Sequence, residues 1–142
     1  MKIVYILLVS LFITTGVNAE IVKNSTNTLK DTKTGYIWQD TKDTADHKRT
    51  FGEAMAYCKD LDLDGLTSWE VPGFTEMFSI IDTKAYNPSI SKKFKNIVPK
   101  DYWISKTFGN ATSKEAFVVN FVSGAFNRKK MDDASYVRCY IK

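Results

Sequence analysis

The chain has 142 residues, of which 44% are hydrophobic, and this length fits a single domain with a substantial core. Its formal net charge is +4, an excess too mild to indicate a nucleic-acid-binding protein by itself. We therefore expect one domain and no nucleic-acid partner.

The first 19 residues have the pattern of a signal peptide. Lys2 precedes an apolar run over residues 3–13, and Val17-Asn18-Ala19 offers small residues at the cleavage positions. The run is shorter than the about 20 residues that span a bilayer, so we expect no stable membrane insertion. The sequence predicts an exported protein, periplasmic or secreted to the cell surface, that begins at Glu20.

The segment after the predicted cleavage site, residues 20–28, is polar and is interpreted as a short leader before the domain, residues 29–142. The domain opens with Asp31-Thr32-Lys33-Thr34-Gly35, a turn whose glycine can take a positive φ, so a hairpin is predicted. Residues 40–49 form a charged loop that holds His47, the one histidine of the chain. His47 has no ligand-type partners at zinc spacing and is interpreted as a solvated loop residue.

Two amphipathic helices are predicted next. Thr50 and Glu53 form a capping box at the start of the first, which runs to about Leu61. The second ends near Asp82, and its buried stripe repeats at helical spacing. The stripe consists of Phe74, Met77, Phe78 and Ile81.

An acidic turn follows the first helix. Asp60, Asp62, Asp64 and Gly65 match the first half of a calcium-loop pattern. The second half fails, because the twelfth position, which requires a bidentate glutamate, is Val71. The three aspartates are a weak metal candidate, and we expect a helix-ending turn that needs no metal and no cofactor.

The second half of the chain is rich in strand patterns. Residues 83–101 form a long connection without periodicity, whose lysines include Lys92, Lys93, Lys95 and Lys100. Residues 102–105 and 117–122 are β-rich, Ser123-Gly124 predicts a hairpin turn, and residues 125–127 are the return strand. Three consecutive cations follow that strand, namely Arg128, Lys129 and Lys130.

The two cysteines are predicted to pair. In the closing β pattern, Cys139 shares an apolar face with Val137 and Ile141. Arg138 lies on the opposite face, so this strand is expected to be half-buried. Cys58 lies on the apolar stripe of the first helix, and an even cysteine count in an exported chain indicates a disulfide. We predict a Cys58–Cys139 bond, with two free buried thiols as the alternative.

Several short motifs occur in one order along the chain. They are Thr34-Gly35-Tyr36-Ile37-Trp38-Gln39, Glu53-Ala54, Tyr57-Cys58, Trp69-Glu70-Val71-Pro72 with Glu76, Tyr102-Trp103 with Ser105 and Thr107, Val119-Asn120-Phe121 before Gly124, and Tyr136-Val137-Arg138-Cys139. Each is weak alone, but their order is specific. Over roughly residues 29–141 the chain resembles the family of the C-terminal domain of the Legionella collagen-like adhesin, with Phe51 where the family usually has tryptophan.

The resemblance implies an α+β domain similar to C-type lectins, with two helices, a small antiparallel sheet, long loops and a disulfide from the first helix to the last strand. The calcium-sugar motifs of true C-type lectins are absent from the sequence, so calcium-bridged sugar binding is not implied. In the adhesin, the related domain binds sulfated glycosaminoglycans through a basic surface, as a trimer. No collagen Gly-x-y tract precedes the domain here, so the trimer does not carry over; a homo-oligomer stays an alternative.

The first functional hypothesis is a binding module for an anionic or sulfated glycan or another surface polymer. Cations suit sulfates because each gains a charge-assisted hydrogen bond. The expected contacts are Arg128, Lys129 and Lys130, together with Lys92, Lys93, Lys95 and Lys100. The alternative is that residues 128–130 form an ordinary solvated turn.

Two other hypotheses belong to different classes of protein. A structural or assembly subunit of an envelope complex or surface appendage would be favoured by an exposed apolar patch. An enzyme on a scaffold similar to the formylglycine-generating enzymes would need paired active-site cysteines, and this chain has none to spare once Cys58 and Cys139 pair. No nucleophile, base and acid set is visible either, so we expect no catalysis.

Overall fold

A computed structural model describes residues 20–142; the predicted signal peptide, residues 1–19, lies outside the described residues. The described part is an α+β fold of seven strands and three helices. None of these helices is long and apolar enough to cross a membrane. In chain order the elements are β1 (Ile21–Lys23), β2 (Thr28–Asp31), β3 (Ile37–Gln39), α1 (Asp43–Asp46), α2 (Phe51–Asp60), α3 (Phe74–Ile80), β4 (Asp101–Phe108), β5 (Glu115–Asn120), β6 (Ala125–Lys130) and β7 (Tyr140–Ile141).

The first sheet joins the two ends of the described chain. Its strand order is β1-β2-β3-β7, and all neighbours are antiparallel. The pair β2 and β3 is the predicted opening hairpin, with Gly35 at a φ of 80° in its turn. Residues 20–28 are part of the fold rather than a free leader, because β1 pairs with β2 and Ile21 packs against the core.

The second sheet has the strand order β4-β5-β6 and is also antiparallel. Its β5–β6 hairpin turns at the predicted Ser123-Gly124, where Gly124 has a φ of 78°. The sequence predicts one small sheet, and the structure has two. The reason is that β4 pairs with β5, whereas the two-residue β7 pairs with β3 and leaves the two ladders separate.

The two predicted helices are confirmed as α2 and α3. At the start of α2 the Glu53 amide donates to the Thr50 hydroxyl over 3.4 Å, and the Glu53 carboxylate accepts the Thr50 amide over 2.8 Å. A third helix, α1, is a single turn in the charged loop that local patterns did not predict. A tertiary contact stabilises it, because the buried Thr44 hydroxyl donates to the Asn96 carbonyl over 2.8 Å.

The predicted disulfide is confirmed, since Cys58 and Cys139 are bonded with sulfurs 2.03 Å apart. Both cysteines have 0% exposure and belong to one of two core clusters, together with Trp69 and Trp103. The bond therefore ties α2 to the segment that leads into β7.

The closing segment, residues 136–141, differs from the half-buried strand that its alternation predicts. Only Tyr140–Ile141 is a strand, and Arg138 is as fully buried as Cys139. A charged side chain is tolerated in an interior when its donors are satisfied. The two terminal nitrogens of the Arg138 guanidinium meet this condition by donating to the carbonyls of Gln39 and Asn96, whereas its buried Nε has no hydrogen-bond partner among the described residues. Both faces of the segment therefore contribute to the interior.

Candidate anion-binding surface

The lysine-rich connection between α3 and β4 is held in place by long-range polar contacts. The two carboxylate oxygens of Asp40 accept the backbone amides of Lys95 and Asn96, each over 3.0 Å. The Nη2 atom of Arg138 donates to the Asn96 carbonyl over 2.6 Å, and Phe94 is buried. The connection therefore presents its cations from a fixed backbone. Its exposed lysines include Lys92, Lys93, Lys95 and Lys100.

Arg128, Lys129 and Lys130 lie on β6, not in a turn after it as the sequence predicts. The strand continues because its pairing with β5 extends to Lys130 opposite Glu115. Side chains alternate along a strand, so Arg128 and Lys130 share one face and Lys129 lies on the other. Nη1 of Arg128 lies 3.7 Å from Oε2 of Glu115, and Nζ of Lys129 lies 3.4 Å from Oδ2 of Asp101. The three cations are therefore not one patch.

Lys129 instead belongs to a small cavity, which we call the lysine cavity. It has a volume of about 100 Å³, and its lining includes Lys48, Lys100, Asp101, Lys129 and Ser135. Ser135 is 1% exposed, and its Oγ has no hydrogen-bond partner among the described residues. Three lysines and one aspartate line the cavity, so its lining has an excess of positive charge, the condition for holding an anionic group.

The structure thus combines one member of each predicted basic cluster with a residue that sequence reasoning missed. Lys100 comes from the connection and Lys129 from β6. Lys48 comes from the charged loop, where its neighbour Arg49 forms an antiparallel bridge with Ser135. No local signal marks Lys48, because that bridge joins segments far apart in the sequence.

The other lysines of the connection face different surroundings. Lys93 and Lys95 line a separate cavity of about 320 Å³ together with Lys23 of β1. The Lys95 ammonium also donates to the Lys92 carbonyl over 3.1 Å. The predicted Lys92–Lys100 cluster is therefore divided between two surfaces.

The acidic turn is engaged with the N-terminal segment. Both Asp64 oxygens accept hydrogen bonds from Asn27, through its backbone and side-chain nitrogens at 2.9 Å each. The Ser25 hydroxyl also donates to Asp64. The hydrogen bond from Ser25 is the largest cause that lowers the pKa of Asp64 below its ordinary value, and the bonds from Asn27 add to it. Asp60 and Asp62 are exposed. Within residues 20–142 no group of three or more Cys, His, Asp or Glu side chains is placed to hold a metal ion.

His47 contacts a carboxylate of its own helical turn, with Nδ1 at 2.8 Å from Asp43. Arg49 donates to both Asp43 oxygens over 2.9 Å. Burial by itself raises the pKa of Asp43, but the hydrogen bonds from Arg49 and Tyr57 outweigh it, so the pKa lies below its ordinary value. Burial also raises the pKa of Tyr57 to about 12. Arg49 and Asp43 form an ion pair, and the Arg49 guanidinium stacks on the Tyr57 ring at 3.7 Å, which fixes the charged loop against α2.

A surface of five phenylalanines lies on the other side of β6, and we call it the phenylalanine strip. Its members are Phe74, Phe78, Phe108, Phe117 and Phe126. The centre of the Phe74 ring lies 4.9 Å from that of Phe117 and 5.1 Å from that of Phe126, and the Phe108 and Phe117 ring centres lie 6.0 Å apart. Phe74, Phe78 and Phe108 are 37%, 59% and 41% exposed. The prediction that Phe74 and Phe78 are core residues is therefore wrong, because α3 buries a narrower stripe.

The comparison with known proteins concerns nearly the whole described chain. The model of one family, described as Lcl C-terminal domain, matches residues 27–140, a range that begins just before β2 and includes the first residue of β7. No curated protein matches the chain. The match agrees with the resemblance that the ordered motifs indicate. The chain therefore belongs to the Lcl C-terminal domain family.

Proposed function

We propose that this protein is an exported, non-catalytic binding module that recognises an anionic or sulfated glycan through the lysine cavity. One observation carries the proposal: Lys48, Lys100 and Lys129 meet at one small cavity although they come from three separate segments. Membership of a family related to an adhesin domain supports a role in binding at a surface.

The chemistry of the lysine cavity suits an oxyanion. Each ammonium group donates charge-assisted hydrogen bonds to sulfate or carboxylate oxygens, and the unpartnered Ser135 hydroxyl is a further donor. The volume of about 100 Å³ equals roughly three water molecules at about 30 Å³ each. We therefore expect one sulfate or carboxylate group to enter while the sugar ring stays outside.

We further infer that the fold is of the C-type-lectin kind. Three features support this inference: the first and last strands share one sheet, a disulfide ties α2 to the closing segment, and a long connection is held down by polar contacts. In such an arrangement a loop-rich half presents binding residues from a rigid base.

A heparin column tests the glycan proposal with charge-matched variants. The test variant is Lys48→Gln/Lys100→Gln/Lys129→Gln, and the control is Lys92→Gln/Lys93→Gln/Lys95→Gln, which removes the same charge. We expect the parent to be retained and to elute as salt shortens the Debye length from about 10 Å at 0.1 M to about 3 Å at 1 M. The test variant should elute at clearly lower salt than the control.

The same experiment separates specific from general attraction. Equal shifts of test and control would mean that only net charge matters and would overturn the lysine cavity as the site. A parent that heparin does not retain at low salt would overturn the sulfated-glycan proposal itself. The Arg128→Gln/Lys130→Gln variant should shift less than Lys129→Gln alone, because its two residues lie on the opposite face of β6.

A second candidate function, an assembly subunit, is favoured by the phenylalanine strip. Exposed apolar patches of this kind mark sites of interaction with other macromolecules, and the strip lies apart from the lysine cavity. Sedimentation velocity over a wide protein concentration range tests self-assembly. Association that Phe78→Ser abolishes would favour this function, whereas a monomer at all concentrations would count against self-assembly.

A further inference from the structure

The strand β6 forms an open edge of the second sheet. It is last in the order β4-β5-β6, and no further strand of the described chain pairs with it. Ala125, Asn127 and Arg128 are exposed along it. An open edge offers backbone donors and acceptors to another extended chain.

Hydrogen bonding beyond the end of the strand shows which backbone groups of β6 point outward. The Met131 amide donates to the Lys114 carbonyl over 2.7 Å, so these residues form a hydrogen-bonded pair. Bonded and non-bonded pairs alternate along antiparallel strands, and this alternation turns the N–H and C=O groups of Phe126 and Arg128 away from β5. These four groups have no other hydrogen-bond partner within residues 20–142.

The side chains beside this edge combine an apolar cleft with cations. Phe126, Phe74 and Phe78 line an open cleft of about 320 Å³. Arg128 and Lys130 lie on the same face as Phe126, and the Arg128 side chain is 50% exposed. Its guanidinium stacks on Phe108 at 4.1 Å, which holds the charge next to the strip.

We propose that an extended acidic segment of a partner protein adds to β6 as a fourth, antiparallel strand. Its residue opposite Phe126 is apolar and enters the cleft. Its residues opposite Arg128 and Lys130 are acidic, because opposite side chains in adjacent strands contact each other. This site takes a peptide rather than a glycan and is independent of the lysine cavity, since Lys129 faces the other side of β6.

Charge selects an acidic partner over a second copy of the chain. In the symmetric antiparallel register of two β6 strands that is centred on Asn127, Phe126 of each copy would lie opposite Arg128 of the other. The two Arg128 side chains would then share one face at diagonal positions roughly 7–8 Å apart. Like charges in that arrangement repel each other, whereas acidic residues of a partner would form ion pairs with the cations of this edge.

The test uses a defined peptide and amide chemical shifts. The probe is acetyl-Thr-Glu-Thr-Glu-Thr-Phe-Thr-amide, whose first glutamate, second glutamate and phenylalanine face Lys130, Arg128 and Phe126 in the antiparallel register. Titration into the isotope-labelled protein should shift the amides of Phe126 and Arg128 most. A peptide with lysine in place of both glutamates should bind at least tenfold more weakly.

Two N-methylated peptides separate strand addition from simple patch binding. Methylation of the second glutamate nitrogen removes a donor that faces β6, and methylation of the preceding threonine nitrogen removes one that faces solvent. We expect the first change to weaken binding roughly tenfold or more, the loss associated with a hydrogen bond and a steric block. The second change should have little effect.

Variants of the protein provide the reciprocal test. Arg128→Ala removes the charge but keeps the outward N–H, whereas Arg128→Pro removes both, and proline is tolerated on edge strands. Arg128→Pro should bind the probe roughly tenfold more weakly than Arg128→Ala. Both variants should elute alike from heparin, because a glycan contacts the charge and not the N–H, so failure of this inference is distinguishable from failure of the glycan proposal.

Three outcomes would overturn the inference. The first is equal binding of the two N-methylated peptides. The second is a set of shifts centred on the lysine cavity. The third is concentration-dependent self-association through β6 that excludes the probe. Either of the first two outcomes would leave the β6 cations as charges that protect an edge strand from pairing, whereas the third would make β6 an edge that pairs with a second copy of the chain. If Arg128→Pro does not fold, the N-methylated peptides still decide the result.

Discussion

The Nη1 atom of Arg138 lies 3.3 Å from Oδ1 of Asp40, and the two side chains are 0% and 9% exposed. The same guanidinium donates to the carbonyls of Gln39 and Asn96 and lies 4.6 Å from the centre of the Phe94 ring. Arg138 therefore joins β3, the lysine-rich connection and the closing segment at one buried point. It thereby fixes the backbone of the connection at Asn96.

Replacement of Arg138 should strongly destabilise the protein. We expect Arg138→Met to lower the free energy of unfolding by about 3–5 kcal/mol, because it leaves Asp40 and two backbone carbonyls without their charged donor. Urea denaturation measures the effect. Lys95→Met, an exposed site on the same connection, is the control and should change stability by less than about 0.5 kcal/mol. A loss below about 1 kcal/mol in Arg138→Met would contradict this account.

Removal of the Cys58–Cys139 bond should also destabilise the protein. The cysteines are 81 residues apart, and closing a loop of that length contributes about 4–5 kcal/mol in the chain-entropy model. We expect the Cys58→Ala/Cys139→Ala variant to lose roughly that amount in chemical denaturation. Thiol labelling of the unreduced, denatured parent should find no reactive cysteine. Two labelled thiols would show that the bond does not form in the protein as produced.

The Asp64 contacts predict a specific pH dependence. Hydrogen bonds from Ser25 and Asn27 lower the pKa of the folded-state carboxyl from 3.8. A lowered pKa contributes stability that is complete above the unfolded value and is lost as pH falls through the folded value. Asp64→Asn should therefore melt at a lower temperature than the parent at pH 7, with the gap closing below about pH 4.

Asp62→Asn is the matched control for this measurement, because Asp62 is an exposed carboxylate in the same turn. It should melt like the parent at every pH. Asparagine tolerates the φ of 54° at position 64, so backbone strain does not confuse the comparison. A gap for Asp64→Asn that does not narrow at all as the pH falls below about 4 would show that charge is not the cause. Millimolar calcium should leave the melting temperature of the parent unchanged.

Replacement by alanine at two glycines should change the stability of the protein in opposite directions. Gly124 has a φ of 78°, and a Cβ there would lie 2.8 Å from Ile81 Cγ2, so Gly124→Ala should cost about 2 kcal/mol or more. Gly52 lies in α2, where a Cβ would meet open space, so Gly52→Ala should raise the free energy of unfolding by about 0.4–1 kcal/mol. Thermal denaturation of both variants checks the pair. If Gly124→Ala did not change the melting temperature, the tight packing of the β5–β6 turn against Ile81 would be contradicted.

Features that depend on neighbouring residues were predictable from the sequence. The capping box at Thr50 and Glu53 needs two residues three apart, and the turns at Gly35 and Gly124 need one residue that accepts a positive φ. The Cys58–Cys139 bond was also predictable, because two inward-facing cysteines in one chain allow one pairing. Local chemistry therefore determined α2, α3 and the hairpins, and the cysteine count determined the covalent tie.

The tertiary structure alone decided which side chains meet. Sequence proximity grouped Arg128 with Lys129, but the alternation of β6 sends them to opposite faces, and a cavity joins Lys129 to Lys48 and Lys100 instead. Burial of Arg138 and exposure of Phe78 also contradict their positions in the periodic patterns. The physical reason is the same in each case: these environments depend on strand pairing and long-range hydrogen bonds, which bring distant segments together and leave no mark on the local sequence.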